Sequence, residues 1–534
     1  MKLDYKKTFY IGLAFFIITI FWQTYDSIIT KILIDKFGLN QTWSGVVMAL
    51  DNVLALFMLP LFGALSDKSN RRLGRRTPYV IVGTVVAAFA FMGLSYMDRV
   101  QTTRIEETNT IIQLYEANHD ETVDRLEVDY WVTLVDQMTT ERDAAQSSGT
   151  ITPERYATWE TKVLDKINLI LDGRTTGSLE VSDLSYLDGY YNVYLSDLAW
   201  EVTVANPFNF IIFVLVLLIA LVFMSIFRSP AVALMPDVTM KPLRSKANAV
   251  INLMGAAAGV TALVILTLYG LGGKSYVHYT MAFVTVGIVM LIVLAIFLWK
   301  VKEPKMVEQR LADDVQWGLT EEEDDINEAN DLPKDKKLSL YLILFSVFLW
   351  FMGYNAVMTK VSDYAPKILQ LASFTIPLLI ANVTAIIAFI PIGILSTKFG
   401  RRKTILFGIV LLTLCFGSVF FLSHDTGWIM YIVFGLTGVG WATINVNSYP
   451  MVVELAKGSN VGRYTGYYYS FSMAAQIVTP ILSGFLMDTI HQKMLFPYAT
   501  FFVALAFITM FFTKHGDSKA EKKTLLESFD VDMD

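Results

Sequence analysis

Twelve long apolar runs constrain this sequence more than any other feature. A membrane core about 30 Å thick is crossed by a helix of roughly 20 predominantly apolar residues. The runs lie near residues 9–34, 43–66, 78–98, 207–228, 246–270, 278–300, 339–362, 374–396, 404–423, 427–452, 464–488 and 494–513. Of the 534 residues, 54% are hydrophobic and 17% are charged, against about 25% charged in soluble domains. The sequence therefore predicts an all-α membrane protein with twelve transmembrane helices.

Charge and cysteine content argue against several other classes of protein. Lys and Arg total 43 and Asp and Glu total 49, so no basic excess points to nucleic acid. The single cysteine, Cys415, excludes a disulfide framework and a cysteine-based metal cluster. The five histidines include no pair with metal-ligand spacing, and neither a catalytic triad nor a phosphate-binding loop is visible. We therefore expect that the protein is not an enzyme and that it uses no metal or cofactor. We expect an ion gradient to be its energy source.

Lysine and arginine are distributed unequally between the two sets of short loops. The set that includes the N-terminus carries eighteen. The opposite set carries only Lys36, Lys274, Lys367 and Lys493. By the positive-inside rule, both termini are expected in the cytoplasm of a multi-pass protein of the cell membrane. The first run is too long for a signal peptide and no small-residue cleavage site follows it, so we expect it to be retained.

Three polar segments interrupt or follow the apolar runs. The segment 98–206, between the third and fourth runs, carries 21 acidic and 8 basic residues and is expected on the extracytoplasmic side. Within it, Thr152 and Pro153 are typical of a helix start. The linker between the halves is strongly charged, with EEEDD at 321–325. The predicted domains are 1–97 and 207–300 for the N-terminal half, 98–206 for the insertion, 301–338 for the linker, 339–513 for the C-terminal half and 514–534 for the tail.

Two loops repeat one pattern. The chain reads GALSDKSNRRLGRRTP at 63–78, after the second run, and GILSTKFGRRKT at 393–404, after the eighth. Both contain G-x-L-S-x-K followed by G-R-R, with four extra residues in the first copy. Such loops resemble the signature motif of the major facilitator superfamily. The resemblance implies two six-helix halves in parallel orientation. It does not cover the insertion 98–206, which the order of the apolar runs places between helices 3 and 4.

The same resemblance implies a gate. In that superfamily the acidic residue of the motif joins the second helix to the eleventh and holds one access state closed. Here this implies a latch at Asp67, with Arg75, Arg76 and the start of the eleventh run at 462–464 as partners. Thr397 replaces the acid in the second copy, which predicts a weaker latch there. The other residues assigned to gating are Gly63, Gly74, Arg228, Asp237, Arg244, Gly400, Arg401 and Arg402. Alternatively, the arginines only set the orientation in the membrane.

Two further stretches narrow the resemblance. The frame RSPAVALMPDVTMKPLRSKANAV at 228–250 is similar to the plant sucrose/proton symporters and related animal sugar carriers. It resembles more loosely the glycoside–cation symporters typified by the melibiose carrier, and GWATINVNSYP at 440–450 looks like the same group. The resemblance implies proton-coupled uptake of a disaccharide or other glycoside. One departure is that residues 208–227, in the fourth run, lack the protonatable Asp that sucrose carriers are expected to have there.

Two carboxylates fall inside the predicted spans, and we expect one of them to couple proton and sugar movement. They are Asp26 in the first span and Asp51 in the second, at a cost of about 2.5–3.5 kcal/mol each at mid-membrane. The polar residues on the face of Asp26 are Thr19, Trp22, Gln23 and Thr30. Asp26 could instead pair with Lys31, and Asp51 could be a structural partner of the eleventh helix. We expect no deeply buried carboxylate in the C-terminal half.

Neutral amides and aromatic rings dominate the polar content of the other spans. Such groups suit a neutral polyol, because its hydroxyls bond to amides while its C–H face packs on a ring. The predicted substrate-binding residues are Trp22, Gln23, Asp26, Asn52, Tyr354, Asn355, Trp441, Asn445 and Gln476. For each of them, hydrogen bonding between helices is an alternative role.

The sequence thus predicts a secondary active transporter in the lipid bilayer. The partners are a small molecule, expected to be a sugar, and a co-transported proton, with Na⁺ left open. One alternative is an exporter of amphipathic small molecules. Another is a non-transporting membrane sensor that uses the 98–206 insertion. The sequence does not indicate the identity of the sugar or the oligomeric state.

Overall fold

The structure is a computed structural model that describes residues 3–69, 71–174, 177–240, 243–273, 275–317, 333–455 and 461–516. Over these residues it is almost entirely helical and contains no strand. The N-terminal half has α1 (Tyr5–Lys31), α2 (Gln41–Asp67), α3 (Thr77–Thr108), α9 (Phe208–Val238), α10 (Arg244–Leu268) and α11 (Thr280–Lys300). The insertion has α4 (Thr110–Asn118), α5 (Val128–Ser147), α6 (Pro153–Trp159), α7 (Asp165–Asp172) and α8 (Val181–Ala205). After α12 (Glu303–Gln316), the C-terminal half has α13 (Lys334–Ile368), α14 (Thr375–Phe399), α15 (Arg401–Val419), α16 (Ile429–Glu454), α17 (Val461–Thr489) and α18 (Leu495–Phe511).

Twelve helices are long and apolar enough to cross a membrane, which confirms the predicted number. They are α1 to α3, α9 to α11 and α13 to α18. The predicted EEEDD segment and most of the polar tail lie outside the described residues.

The two halves repeat one packing scheme. In the N-terminal half α3 packs on α9, α1 on α10 and α3 on α11; in the C-terminal half their counterparts pair as α15 on α16, α13 on α17 and α15 on α18. Each half has its own hydrophobic core, one around Phe21, Phe91 and Phe283 and the other around Trp350, Phe416 and Phe496. The halves meet through two equivalent pairs, α2 with α17 and α10 with α14. The structure therefore has the predicted parallel repeat.

The helices extend beyond the predicted spans. A π-helical turn, Ile32–Lys36, extends α1, α3 continues to Thr108 and α13 continues to Ile368. Gly38 then ends the first helical segment with φ +69°, and a Cβ there would lie 2.0 Å from the backbone nitrogen of Trp200 in α8. Only glycine fits this turn, because the backbone is left-handed and another helix lies against it.

The insertion is a helical domain with a core of its own, which includes Trp131, Trp159 and Tyr194. As predicted, α6 starts at Pro153, and Thr152 caps it by accepting a hydrogen bond from the backbone N–H of Arg155 at 3.3 Å. The domain packs on the connections at one end of the helical bundle, here called the insertion end. The loops 63–78 and 393–404 lie at the opposite end, here called the GRR end.

Candidate functional site

A polar cavity of about 240 Å³ lies between the two halves. Helices α1, α2, α9 and α10 line it on one side and α13, α14, α16 and α17 on the other. All nine residues of the predicted substrate-binding set line this cavity. Five helices that are distant in sequence therefore bring the predicted residues to one continuous surface.

The two predicted coupling carboxylates, Asp26 and Asp51, both line the cavity. Asp51 accepts hydrogen bonds from the backbone N–H of Asn52 at 2.6 Å and from its Nδ2 at 2.7 Å. Lys31, the alternative partner of Asp26, points elsewhere, because its Nζ donates to Ser275 Oγ at 3.4 Å. Carboxylates that face a cavity inside a membrane are costly, and function is the default explanation for keeping them there.

Aromatic side chains form one wall of the cavity. The rings of Tyr354 and Trp441 are stacked, with centroids 3.6 Å apart and planes 4° from parallel. Phe351 packs edge-on against Trp441 at 5.3 Å. Among the described residues, nothing accepts a hydrogen bond from Trp22 Nε1 or from Asn355 Nδ2, although both atoms are buried. A ligand with hydroxyl oxygens would satisfy these two donors.

Arg228 lines the same cavity. The sequence assigns it to a cytoplasmic gate because the fourth apolar run ends there. In the structure α9 continues through Pro230 and Pro236 to Val238, so Arg228 lies inside a helix. It is near enough to Asp51 for an electrostatic interaction. The cavity therefore contains a cation as well as two carboxylates.

Buried charged and polar side chains join the two halves at the insertion end. Gln41 Nε2 of α2 donates to Asp363 Oδ2 of α13 at 2.6 Å. Lys360 Nζ donates to the backbone carbonyl and the Oε1 of Gln41, both at 3.0 Å. Lys367 forms ion pairs with Asp363 and with Asp35 of the N-terminal half. All five side chains are buried, so this end of the cavity is closed.

Helices α2 and α17 reinforce this closure by direct backbone contact. Asp488 at the end of α17 accepts hydrogen bonds from the backbone N–H groups of Gln41 at 3.0 Å and Thr42 at 2.8 Å. A Cβ on Gly45 would lie 2.1 Å from the carbonyl of Pro480, so no larger residue fits where the helices cross. The closure therefore requires glycine at this position, because it has no side chain.

The expectation of no deeply buried carboxylate in the C-terminal half is wrong, since Asp363 is 2% exposed. In the N-terminal half, Asp35 and Asp98 are buried as well. All three lie at or just beyond an end of a predicted span, where hydropathy falls. The helices continue past these points. The side chains there are buried by ion pairs and by the insertion, and not by lipid.

At the GRR end, Arg76 connects three helices of the N-terminal half. Its Nε donates to Asp237 Oδ2 of α9 at 2.8 Å. Its guanidinium also contacts Asp67 and Ser66 at the end of α2. The predicted contact between Asp67 and Arg76 is thus present within one half. The other predicted partner of Asp67, the start of the eleventh run, includes side chains outside the described residues.

Glu303, a residue that sequence reasoning missed, caps the start of α3. Its carboxylate accepts hydrogen bonds from the backbone N–H groups of Arg75 at 2.7 Å, Arg76 at 2.9 Å and Thr77 at 2.8 Å. Gly74, with φ +109°, leaves the space that this carboxylate occupies. A negative charge at a helix N-terminus satisfies free N–H groups and interacts favourably with the helix dipole.

We expect Glu303→Gln to lower the free energy of unfolding by about 1–3 kcal/mol, because charge-assisted hydrogen bonds to buried N–H groups are lost. Thermal unfolding of the purified protein in detergent measures this loss. The exposed Glu308→Gln, on the same helix, is the matched control and should unfold like the unchanged protein. Equal melting temperatures for all three proteins would contradict the capping role.

The C-terminal half has a related but different arrangement at the GRR end. Arg401 forms an ion pair with Glu454, the last residue of α16. Asp237 has the equivalent place in the N-terminal half, one residue before the end of α9. Arg402 donates to the backbone carbonyl of Phe511. Gly400, with φ +91°, allows the sharp turn between α14 and α15. The repeat of the two halves is the signal that could have identified Glu454.

Two other residues assigned to gating have local roles in the packing of α9. Arg244 donates from Nη2 to the carbonyl of Pro236 at 3.1 Å, which satisfies a carbonyl near the end of the helix. Gly63 lies against α9, where a Cβ would be 2.9 Å from Ser229 Oγ. The structure therefore groups Asp67, Arg76 and Asp237, while Arg401 pairs separately in the other half.

Comparison with known protein families identifies the chain. The sequence profile described as "Major Facilitator Superfamily" matches residues 198–389 and 361–529, more than half of the chain. The chain belongs to the major facilitator superfamily. A second profile, described as "MFS/sugar transport protein", matches residues 10–98. No curated protein matches the chain significantly. This major facilitator protein is thus a multi-pass membrane transporter and not an enzyme.

Solved structures with the same fold share little sequence with it. The inward-open xylose transporter XylE from E. coli is 13% identical, with 98% of each chain covered and a TM-score of 0.55. A bacterial homologue of the iron transporter ferroportin is 10% identical, covering 96% of this chain and 99% of that one, with a TM-score of 0.56. The nucleoside transporter NupG is 10% identical, covering 95% and 99%, with a TM-score of 0.51. Their diverse substrates show that the fold alone does not determine the substrate.

Proposed function

We propose that this transporter is a proton-coupled symporter of a neutral sugar, a disaccharide or other glycoside, that works by alternating access. The observation that carries the proposal is the cavity, which combines two carboxylates, an aromatic wall and unpaired hydrogen-bond donors between the two halves. The match of residues 10–98 to a profile named for sugar transport supports it. A solved structure described as a D-xylose–proton symporter shares the fold, at 13% identity and a TM-score of 0.54.

Each part of the proposed site has a distinct task. The stacked rings of Tyr354 and Trp441 support the C–H face of the sugar. Trp22 Nε1 and Asn355 Nδ2, which have no acceptor among the described residues, donate to its hydroxyls. Gln23, Asn52, Asn445 and Gln476 supply further amide groups. In this conformation the cavity has a volume of about 240 Å³, just below the range of roughly 300–1,000 Å³ found for ligand pockets.

Asp26 is proposed as the residue that couples the proton to the sugar, with Asp51 as the second candidate. Removal from water disfavours the charged form of a carboxyl group, so a proton binds as the halves close around the sugar. Release of sugar on the cytoplasmic side admits water and lets the proton leave. The energy of the gradient is thereby converted into sugar accumulation, and the gating residues at both ends decide which side is open.

The orientation follows from the distribution of lysine and arginine. We propose that the GRR end faces the cytoplasm, that both termini lie there, and that the insertion is extracytoplasmic in the cell membrane. In this orientation the described conformation is closed toward the outside, because the buried ion pairs that join the halves lie at the insertion end.

Uptake of a labelled glycoside panel into proteoliposomes tests the proposed substrate class. An inward proton gradient is imposed, and the panel includes sucrose and maltose. The proposal predicts accumulation of at least one glycoside, and absence of uptake for the whole panel by folded protein would contradict it.

Two further experiments address the alternatives. If no glycoside is taken up, resistance to toxic compounds in a sensitised strain would favour the exporter. Transport that persists when the insertion is deleted would make the insertion an accessory or partner site and exclude the non-transporting sensor.

Trp441→Ala should weaken the apparent affinity for the transported sugar about tenfold, since an aromatic contact contributes about 0.5–1.5 kcal/mol beyond its buried area. The half-saturation concentration for uptake measures this change. Trp428→Ala, at an exposed tryptophan near the start of the same helix, is the matched control and should have no effect. Equal half-saturation concentrations for both variants would remove Trp441 from the site.

A further inference from the structure

Helix α8 of the insertion belongs to the N-terminal half but contacts connections of the C-terminal half. On its own side, α8 is fixed by the close approach of Gly38 to Trp200. Thr203 near its end accepts a hydrogen bond from Gln101 of α3 at 3.1 Å. Only two residues separate α8 from α9. We therefore expect α8 to move with the N-terminal half when the two halves separate.

Asp188 is the centre of the contact between α8 and the C-terminal half. It is fully buried, and inside the insertion it pairs with Arg125. From the C-terminal half, Gln370 Nε2 donates to its Oδ2 at 3.1 Å, and His424 Nε2 lies 2.9 Å from the same oxygen. Although burial alone would raise the pKa of Asp188, Arg125 and His424 lower it, so the charged form is favoured. Asp188 therefore accepts a hydrogen bond from one connection of the other half and lies against a second.

The connection that carries Gln370 has an unusual backbone conformation. Gln370 lies between α13 and α14 with φ +52°, in the left-handed region that residues with a side chain rarely adopt. Such a conformation persists only where surrounding contacts impose it. Two such contacts are the hydrogen bond from the backbone N–H of Leu371 to the carbonyl of Ala365 at 3.1 Å, which ends α13, and the side-chain bond to Asp188.

A second contact joins α8 to the connection between α17 and α18. The ring of His491 lies between Tyr186 and Tyr190, with centroid distances of 4.9 Å and 4.8 Å. Its Nδ1 accepts from the backbone N–H of Lys493 at 3.0 Å, which leaves Nε2 to donate to the carbonyl of Tyr186 at 3.2 Å. A Cβ on Gly189 would lie 2.4 Å from His491 Nε2, so the ring fits only over glycine. The fit is as close as packing in a protein core.

We propose that α8 is a second latch, distinct from the one predicted at Asp67, that holds the insertion end closed. It releases from the connections that carry Gln370, His424 and His491 each time that end opens. The buried ion pairs between Lys367, Asp35 and Asp363 belong to the same cross-half interface at this end. A ligand that enters from this side requires the halves to separate. Because α8 is tied to one half and fitted to the other, separation breaks the contacts of Asp188 and His491. The insertion is thus a moving part of the gate. This inference rests on the alternating access of the proposed function.

Cysteine labelling of the full-length protein in detergent tests the latch. The only native cysteine is replaced by Cys415→Ala, and Ser44→Cys is the reporter. Ser44 is fully buried in α2, next to the crossing with α17, and its Oγ has no partner among the described residues. The rate of reaction with N-ethylmaleimide then reports how often the insertion end opens. Asp188→Asn should raise this rate about tenfold, the factor for a loss near 1.4 kcal/mol.

Two further variants keep the test decisive. Because Asp188 also holds Arg125, its replacement could unfold the insertion. The double variant Gln370→Ala with His424→Ala removes the contact from the other side and leaves the insertion unchanged. Asp129→Asn, an exposed acid on α5, is the control and should label like the reporter alone. The latch is overturned if both Asp188→Asn and the double variant label at the unchanged rate.

This readout separates the latch from the proposed function. Labelling requires neither sugar nor a proton gradient. Faster labelling in a protein that carries no glycoside would support the latch and contradict the sugar symporter. Unchanged labelling in a protein that accumulates sugar would contradict the latch alone.

Discussion

Asp26→Asn is expected to abolish proton-driven accumulation of sugar while sugar still exchanges across the membrane. Asparagine is close to aspartate in size but carries no titratable proton, so the cavity keeps its shape and loses its coupling. With one proton per sugar, a gradient of one pH unit supports about tenfold accumulation. The variant should stop at equal concentrations inside and outside. Proteoliposome uptake with and without the gradient measures both quantities.

Two other aspartates complete this experiment. Asp425→Asn, at an exposed position in the connection before α16, is the control and should accumulate sugar like the unchanged protein. Asp51→Asn shows whether the second carboxylate shares the coupling. Accumulation by Asp26→Asn at the unchanged level would move the coupling away from Asp26.

Lys36→Met is expected to cause the largest loss of stability of any single change considered. Lys36 is fully buried, and its Nζ donates to Asp98 at 2.5 Å, to Thr102 at 2.7 Å and to the carbonyl of Val277 at 2.5 Å. Methionine fills a similar volume but leaves the charge of Asp98 buried without its partner. Removing one member of a buried pair costs about 3–5 kcal/mol. Thermal and denaturant unfolding in detergent measure the effect.

The double variant Lys36→Met with Asp98→Asn isolates the electrostatic cause. It removes both charges, and an amide oxygen at position 98 can still accept from the backbone N–H of Tyr279, which lies 2.8 Å from Asp98 Oδ2. We expect the double variant to recover most of the stability. Lys166→Met, at an exposed site in the insertion, is the control for loss of a lysine. A double variant less stable than Lys36→Met would show that the pair is not the reason.

The number and order of the membrane helices could be predicted because lipid imposes one simple requirement on the sequence, a sufficiently long apolar run. The parallel repeat could be predicted from the loops at 63–78 and 393–404, which carry one motif in equivalent places. The ends of the helices could not be predicted in this way. Where α1, α3 and α13 extend beyond the lipid, they are buried by the insertion and by ion pairs. The hydropathy of a local stretch of sequence carries no information about such contacts.

The same reasoning explains which residues of the candidate site were found. Those on α1 share a face at helical spacing, so their grouping in one cavity was foreseeable. Arg228 was misplaced because the fourth apolar run ends there, although α9 continues to Val238. Glu303 and Asp188 depend on contacts with distant parts of the chain. A single sequence contains no signal for such contacts.

In the proposed symporter, one transport cycle moves a proton and a sugar together. The most direct test is the internal pH of proteoliposomes, reported by an enclosed dye, when a transported glycoside is added outside with no pH gradient imposed. The account predicts that sugar entry acidifies the lumen in the unchanged protein and does not do so in Asp26→Asn. Sugar entry without acidification in the unchanged protein would contradict proton symport.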